Sequence, residues 1–100
     1  MQDFIYLVRP ASQGETGPPA AFLIRAHAEY LHTLVDQGIV LLVGHTAGTP
    51  DGFGLAIFRA DDLEQAERLV AADPAVAAGV LEAEVHPFEV TLHAGRWPEL

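Results

Sequence analysis

Two residues of this chain, a histidine and an aspartate, stand out by type and neighbourhood as able to move a proton. His27 lies among Leu23, Tyr30 and Leu34, and on a helix these four positions fall within about 60° of one another. A helix turns its apolar stripe toward whatever it packs on, so this imidazole is expected to point inward. Burial disfavours the charged imidazolium unless an acid lies beside it. A neutral, partly buried histidine next to a carboxylate is a general base suited to neutral pH. Periodicity by itself also fits, and favours, a core histidine bonded to a backbone carbonyl.

Asp73 precedes Pro74, and the pair has a local meaning of its own. Asp is a preferred helix N-cap, and Pro at the first helical position loses no donor that the helix needs. A cap is therefore the plain reading of Asp73. The roles can coexist, because one carboxylate oxygen can cap while the other meets a side chain.

The remaining histidines carry less. His32 falls with Arg25 and Asp36 on the polar side of the same helix, about 140° round from His27, and reads as solvated. His45 follows a strand at the mouth of a loop, where a ligand contact and an ordinary polar residue are equally good readings. His86 and His93 sit on the last strand and its exit. No two histidines have metal-ligand spacing, and no metal is expected. Arg9, closing the first strand, is a candidate for an anionic substrate group or for a surface ion pair.

Several chemistries are excluded outright. The chain has no Cys and no Lys, which removes disulfides, thiol catalysis, thiolate metal sites and Schiff bases. Ser12 is the only serine and no nucleophile elbow surrounds it. Gly52-Phe53-Gly54 is too short for a dinucleotide fingerprint and lies between strands. No cofactor is expected.

The elements that must hold these residues can be read from period. Phe4 to Val8 is a β-branched, aromatic and aliphatic run, a buried first strand closed by Arg9-Pro10. Ala11 to Pro19 is a long Gly/Pro-containing loop of the kind that serves as a lid or ligand contact. From about Pro19 to Gln37 the period is helical, with Gly38 placed for a left-handed C-terminal residue. Ile39 to Val43 is a second strand, apolar on both faces, ending at Gly44. A turn-rich loop joins it to a third strand, Gly54 to Phe58, as a hairpin.

Asp61-Asp62-Leu63-Glu64 opens a second helix with a capping-box pattern, running to about Ala72. A short turn starts at Asp73-Pro74 and ends at Gly79. Val80 to Leu92 is the last strand, and its apolar phase flips after Pro87. Such a slip predicts a bulge or bend at His86-Pro87, and Pro in a strand predicts an edge position. The order βαββαβ predicts an antiparallel sheet with two helices on one face, an α+β sandwich of the ferredoxin-like kind. Its other face has no cover of its own, which points to a homodimer joined through sheet faces.

One hundred residues suit a single domain spanning 1–100. Half of them are hydrophobic and 19% are charged, which again favours a second copy over a monomer. A net charge of −9, with five scattered Arg as the only cations of this type, opposes a phosphate backbone, so no nucleic-acid partner is expected. No run approaches the roughly 20 apolar residues of a membrane span, and the N-terminus lacks signal-peptide character. A soluble, cytoplasmic protein with a small-molecule substrate or ligand is the expectation.

Three segments resemble the YCII-related (YciI-like) family. The first is His27-Ala28-Glu29-Tyr30-Leu31 leading through Gly38 to Gly44. The second is Ala72-Asp73-Pro74-Ala75-Val76-Ala77-Ala78-Gly79-Val80, and the third is Val85-His86-Pro87-Phe88-Glu89-Val90. The resemblance runs from Phe4 to Val90. It implies a dimeric α+β barrel with a cleft holding a His–Asp dyad, matched here by His27 and Asp73. A cleft bordered by these two with Gly44, His45 and Tyr30 is what an enzyme or a small-molecule binding reading expects. The resemblance also implies elimination or isomerisation on a small organic molecule, since a relative is a dehydrochlorinase and the wider group includes an isomerase. A small-molecule binding or sensing module, and a structural dimer domain, stay open beside the enzyme reading.

Overall fold

The computed structural model of the chain describes residues 1–11, 18–48 and 52–97. Residues 12–17 of the first loop, read above as a lid and including Ser12, lie outside the described residues, as do 49–51 of the hairpin loop and the last three residues. The elements in chain order are β1 (Gln2–Pro10), α1 (Pro18–Asp36), β2 (Val40–His45), β3 (Gly54–Ala60), α2 (Leu63–Ala71), α3 (Pro74–Ala77) and β4 (Leu81–Pro87). The four strands form one sheet in the order β2-β3-β1-β4, and every neighbouring pair is antiparallel. This is the expected α+β arrangement, with the helices on one face.

Alternation along the strands decides which face the helices take. Phe4, Tyr6 and Val8 of β1 stand opposite Phe58, Ala56 and Gly54 of β3. Phe4, Tyr6, Val8, Ala56 and Phe58 are all buried in the cluster that includes Leu31, Leu34, Ala66, Val70 and Ala75 of the helices. The Phe4 and Phe58 rings stack at 5.7 Å between centroids. Fully burying an aromatic or large aliphatic side chain contributes about 1.5–3 kcal/mol, so these inward positions anchor the layer. The opposite phase, Ile5, Leu7, Leu55 and Ile57, lies on the face without helices.

Helix ends follow their local grammar. Gly38 (φ 76) and Gly79 (φ 77) take the left-handed conformation, which costs a residue without Cβ little. Behind each, an amide reaches back five residues, from Ile39 to the Leu34 carbonyl and from Val80 to the Ala75 carbonyl, both at 2.9 Å. The cap of α2 is shifted by one from the expected box. Asp62 is the N-cap and accepts from the Gln65 amide, while the Gln65 side chain accepts from the Asp61 amide. Glu64 instead turns outward to Arg68, an i,i+4 pair at 2.9 Å. Gln65 lies three residues after Asp62, the spacing at which its amide meets the capping carboxylate, while its own side chain reaches one residue further back, to the Asp61 amide.

The last strand also differs from expectation. β4 ends at Pro87, which lies opposite Phe4, and Phe88 to Leu92 is not a strand. The phase flip after Pro87 marks the end of the ladder rather than a bulge or bend inside it. The edge position holds, since β4 borders only β1. The irregularity in pairing falls instead on the other edge, between Val40 and Leu42 of β2.

Candidate active site

Three elements bring one side chain each to a single point beneath the sheet's inner face. Tyr6 comes from the middle of β1, His27 from the inward stripe of α1, and Asp73 from the residue that caps α3. Asp73 is fully buried, and its carboxylate is satisfied at both oxygens. Oδ1 accepts from the Ala75 amide at 3.0 Å, which is the N-cap bond. Oδ2 accepts from the Tyr6 hydroxyl at 2.7 Å and is also the hydrogen-bond partner of His27 Nδ1. One carboxylate therefore caps a helix and holds an imidazole at once.

The electrostatics follow from these partners. Burial raises the Asp73 carboxyl pKa, but the bonds from His27 and Tyr6, with the Ala75 amide, outweigh it and hold the group below its ordinary value. Tyr6 is pushed up, first by burial and then by its bond to the Asp73 carboxylate, so it stays a protonated donor. An ionised Asp73 can only accept. His27 Nδ1 must then carry the proton in that bond, which leaves Nε2 as the ring nitrogen open to a ligand.

His27 has 14% of its side chain exposed, and it faces a cavity of about 120 Å³ between α1 and the β2–β3 end of the sheet. The walls are largely apolar, with Val8, Leu31, Val43 and Ala56, and Gly44, His45 and Gly54 complete the rim. A Cβ on Gly54 would stand 3.2 Å from Val8 Cγ2 and crowd the space. The Tyr6 ring meets the His27 ring edge-on, 6.4 Å between centroids.

Of the residues singled out in the sequence, His27 and Asp73 meet directly, and Gly44 and His45 border the same cavity. His45 is the last residue of β2 rather than a loop residue. Tyr30 and Arg9 are not brought to it. The Tyr30 hydroxyl donates to the Leu69 carbonyl of α2 at 2.7 Å, because a tyrosine on that stripe reaches past the sheet to the next helix. Arg9 lies over the Phe53 ring at 5.7 Å, in the outward-facing register beside Glu82. His32 pairs with Asp36 on the exposed helix face. Among the described residues no cluster of three metal-ligating side chains occurs, and no helix is long and apolar enough to cross a membrane.

Tyr6 is the member of this site that sequence pattern does not single out, because it stands inside an apolar strand among core residues. A tyrosine at an inward strand position still needs a partner for its hydroxyl, and that requirement was the available signal.

The fold is shared with solved structures of low sequence identity. One is 5-chloro-2-hydroxyhydroquinone dehydrochlorinase from Burkholderia phenoliruptrix in complex with 2,5-dihydroxybenzoquinone: 20% identity, TM-score 0.57, covering 86% of this chain and 93% of that one. A second is an uncharacterised protein from Thermotoga maritima, at 11% identity and TM-score 0.53, covering 87% and 95%. A third is a variant of SnoaB, a cofactor-independent oxygenase from Streptomyces nogalater, at 12% identity and TM-score 0.53, covering 96% and 100%. No curated protein matches the chain by sequence. Residues 4–89 match the YCII-related domain, and the chain belongs to that family.

Proposed function

We propose that the protein is a cofactor-independent enzyme that moves a proton on a small organic substrate, by elimination or isomerisation. The observation that carries this reading is the His27 Nδ1–Asp73 Oδ2 bond at the wall of the 120 Å³ cavity. His27 Nε2 takes a proton from an activated C–H or O–H of the substrate, and Asp73 holds the ring in one tautomer and steadies the imidazolium. In an elimination the bond to the leaving group breaks with its electron pair as the proton reaches His27. In an isomerisation the imidazolium returns the proton to a different atom. Two fold neighbours named as a dehydrochlorinase and a cofactor-independent oxygenase support a small-molecule reaction.

Size and lining limit the substrate. An engineered cavity of ~150 Å³ takes benzene, so this smaller one, about 120 Å³, holds no more than one small ring, with the rest of a larger substrate outside it. The wild-type protein, incubated in D₂O with halogenated hydroquinones and small lactones, is expected to release halide or exchange a substrate proton for deuterium. Folded protein that does neither with any of them removes the enzyme reading.

The chain acts as a homodimer joined through the open sheet faces. Ile5, Leu7 and Leu55 lie half-buried on that face around a buried Ile57, and Leu42 of β2 is 45% exposed beside them. A contiguous apolar face of this kind is a surface for a second copy. Light scattering at micromolar concentration should give twice the mass of one chain, and Leu55→Glu should give the single-chain mass. A wild-type monomer overturns the assembly.

A further inference from the structure

We propose that Tyr6 is a positioning residue that sets how strongly His27 holds a proton, by competing with it for Oδ2 of Asp73. The inference rests on the reading of His27 and Asp73 as the working pair. Both the Tyr6 hydroxyl and His27 Nδ1 are directed at that one oxygen, while Oδ1 is occupied by the Ala75 amide. Each donor on Oδ2 withdraws negative charge from the other. A carboxylate that shares its charge with Tyr6 stabilises the imidazolium less than one that gives all of it to His27.

Packing does not call for the hydroxyl. Two residues earlier in the same strand, Phe4 fills the same inward phase with no polar atom and is equally buried. Tyr6 is 1% exposed, so its hydroxyl has no water to fall back on and its bond to Asp73 persists. Among the described residues, the titratable groups facing His27 are few. They are Asp73 from the start of α3, Tyr6 from β1, His45 from β2 across the cavity, and Tyr30 one turn along α1, whose hydroxyl is engaged by the Leu69 carbonyl. No Arg lines the cavity among the described residues. Tyr6 is thus the neutral group with direct access to the acid that His27 depends on.

The test needs no substrate: the pH at which the His27 ring takes up its proton is followed by NMR in the folded protein. Tyr6→Phe frees Oδ2 for His27 and should move that pH upward by about 0.5 units, a fraction of what one hydrogen bond to a charged carboxylate contributes. The chain has two tyrosines, and replacing both with 3-fluorotyrosine makes Tyr6 a stronger donor without changing its packing. That protein should shift downward, opposite to Tyr6→Phe. Tyr30→Phe should leave the value in place, and Asp73→Asn should lower it, which shows that the probe senses the pair. If Tyr6→Phe does not fold, the fluorotyrosine protein carries the test alone. Shifts of the same sign, or no shift in the fluorotyrosine protein, overturn the proposal. A shift of the expected sign in a protein that turns over no substrate leaves the competition standing and removes only the enzyme reading.

Discussion

Asp73→Ala is expected to cost about 3–5 kcal/mol of stability, the range for removing one partner from a buried charged pair. Three losses add up at one position. The Ala75 amide loses its cap, the Tyr6 hydroxyl is left buried without an acceptor, and the His27 ring loses its anionic partner. An unmet buried polar group alone costs about 1–3 kcal/mol. Domains of this size have only about 5–15 kcal/mol in total, so the melting temperature should fall by on the order of 15–30 °C.

The acid limb provides a second reading of the same residue. The folded state holds the Asp73 carboxyl below its ordinary 3.8, so the unfolded chain binds the proton first as pH falls. The stability that Asp73 contributes is therefore complete above pH 3.8 and is lost as pH drops through the lower, folded value. The difference between wild type and Asp73→Ala should narrow over that acid range and hold steady well above it. Denaturant titrations of both proteins across the range decide it. A cost under about 1 kcal/mol near neutrality would make Asp73 an ordinary surface cap, contrary to its burial.

What the sequence allowed, and what it hid, divides along a physical line. Helical phase was enough to turn His27 inward, because a period near 3.6 is a property of the segment alone. The Asp73-Pro74 pair announced a helix start for the same reason, and the helix is there. That the two touch across 46 residues is not local information, and in the sequence only the family resemblance joins them. Tyr6 is 67 residues from Asp73, and nothing around it in β1 marks it apart from Phe4 and Val8. Arg9 shows the converse. Its place at a strand end fitted an anion contact, yet the β1–β4 register carries it beside Glu82 and over Phe53, away from the cavity. Register is fixed by pairing partners, which a single strand does not name. The end of β4 is not legible in the sequence because Pro87 leaves a period-two pattern on both sides of it, and the pattern says nothing about whether a neighbour continues. The Phe88 amide still reaches the Asp3 carbonyl at 3.0 Å, but the ladder ends at Pro87.

The largest effect on activity is expected at His27. Asn at this position keeps an amide donor near the place of Nδ1, so the bond to Asp73 and the fold should survive while the second ring nitrogen is gone. Turnover of any substrate found for the wild type should fall by about 10²–10⁴-fold, the contribution of a positioned acid–base group. Asp73→Asn should lower turnover too, by a different route that keeps the ring. Asn has one acceptor oxygen, and the Ala75 amide claims it. Its NH₂ then faces His27 Nδ1, which can meet it only as an acceptor, and the ring proton moves to Nε2. The base is still present but protonated at the nitrogen that should receive the substrate proton. Turning the amide round restores the bond to His27 only by setting NH₂ against the Ala75 N–H and breaking the cap. Steady-state kinetics on the two variants separate the roles of the pair. Wild-type turnover in His27→Asn ends the claim that His27 is catalytic. A dead His27→Asn beside a fully active Asp73→Asn would leave the histidine its chemistry and reduce Asp73 to the helix cap that its sequence context first described.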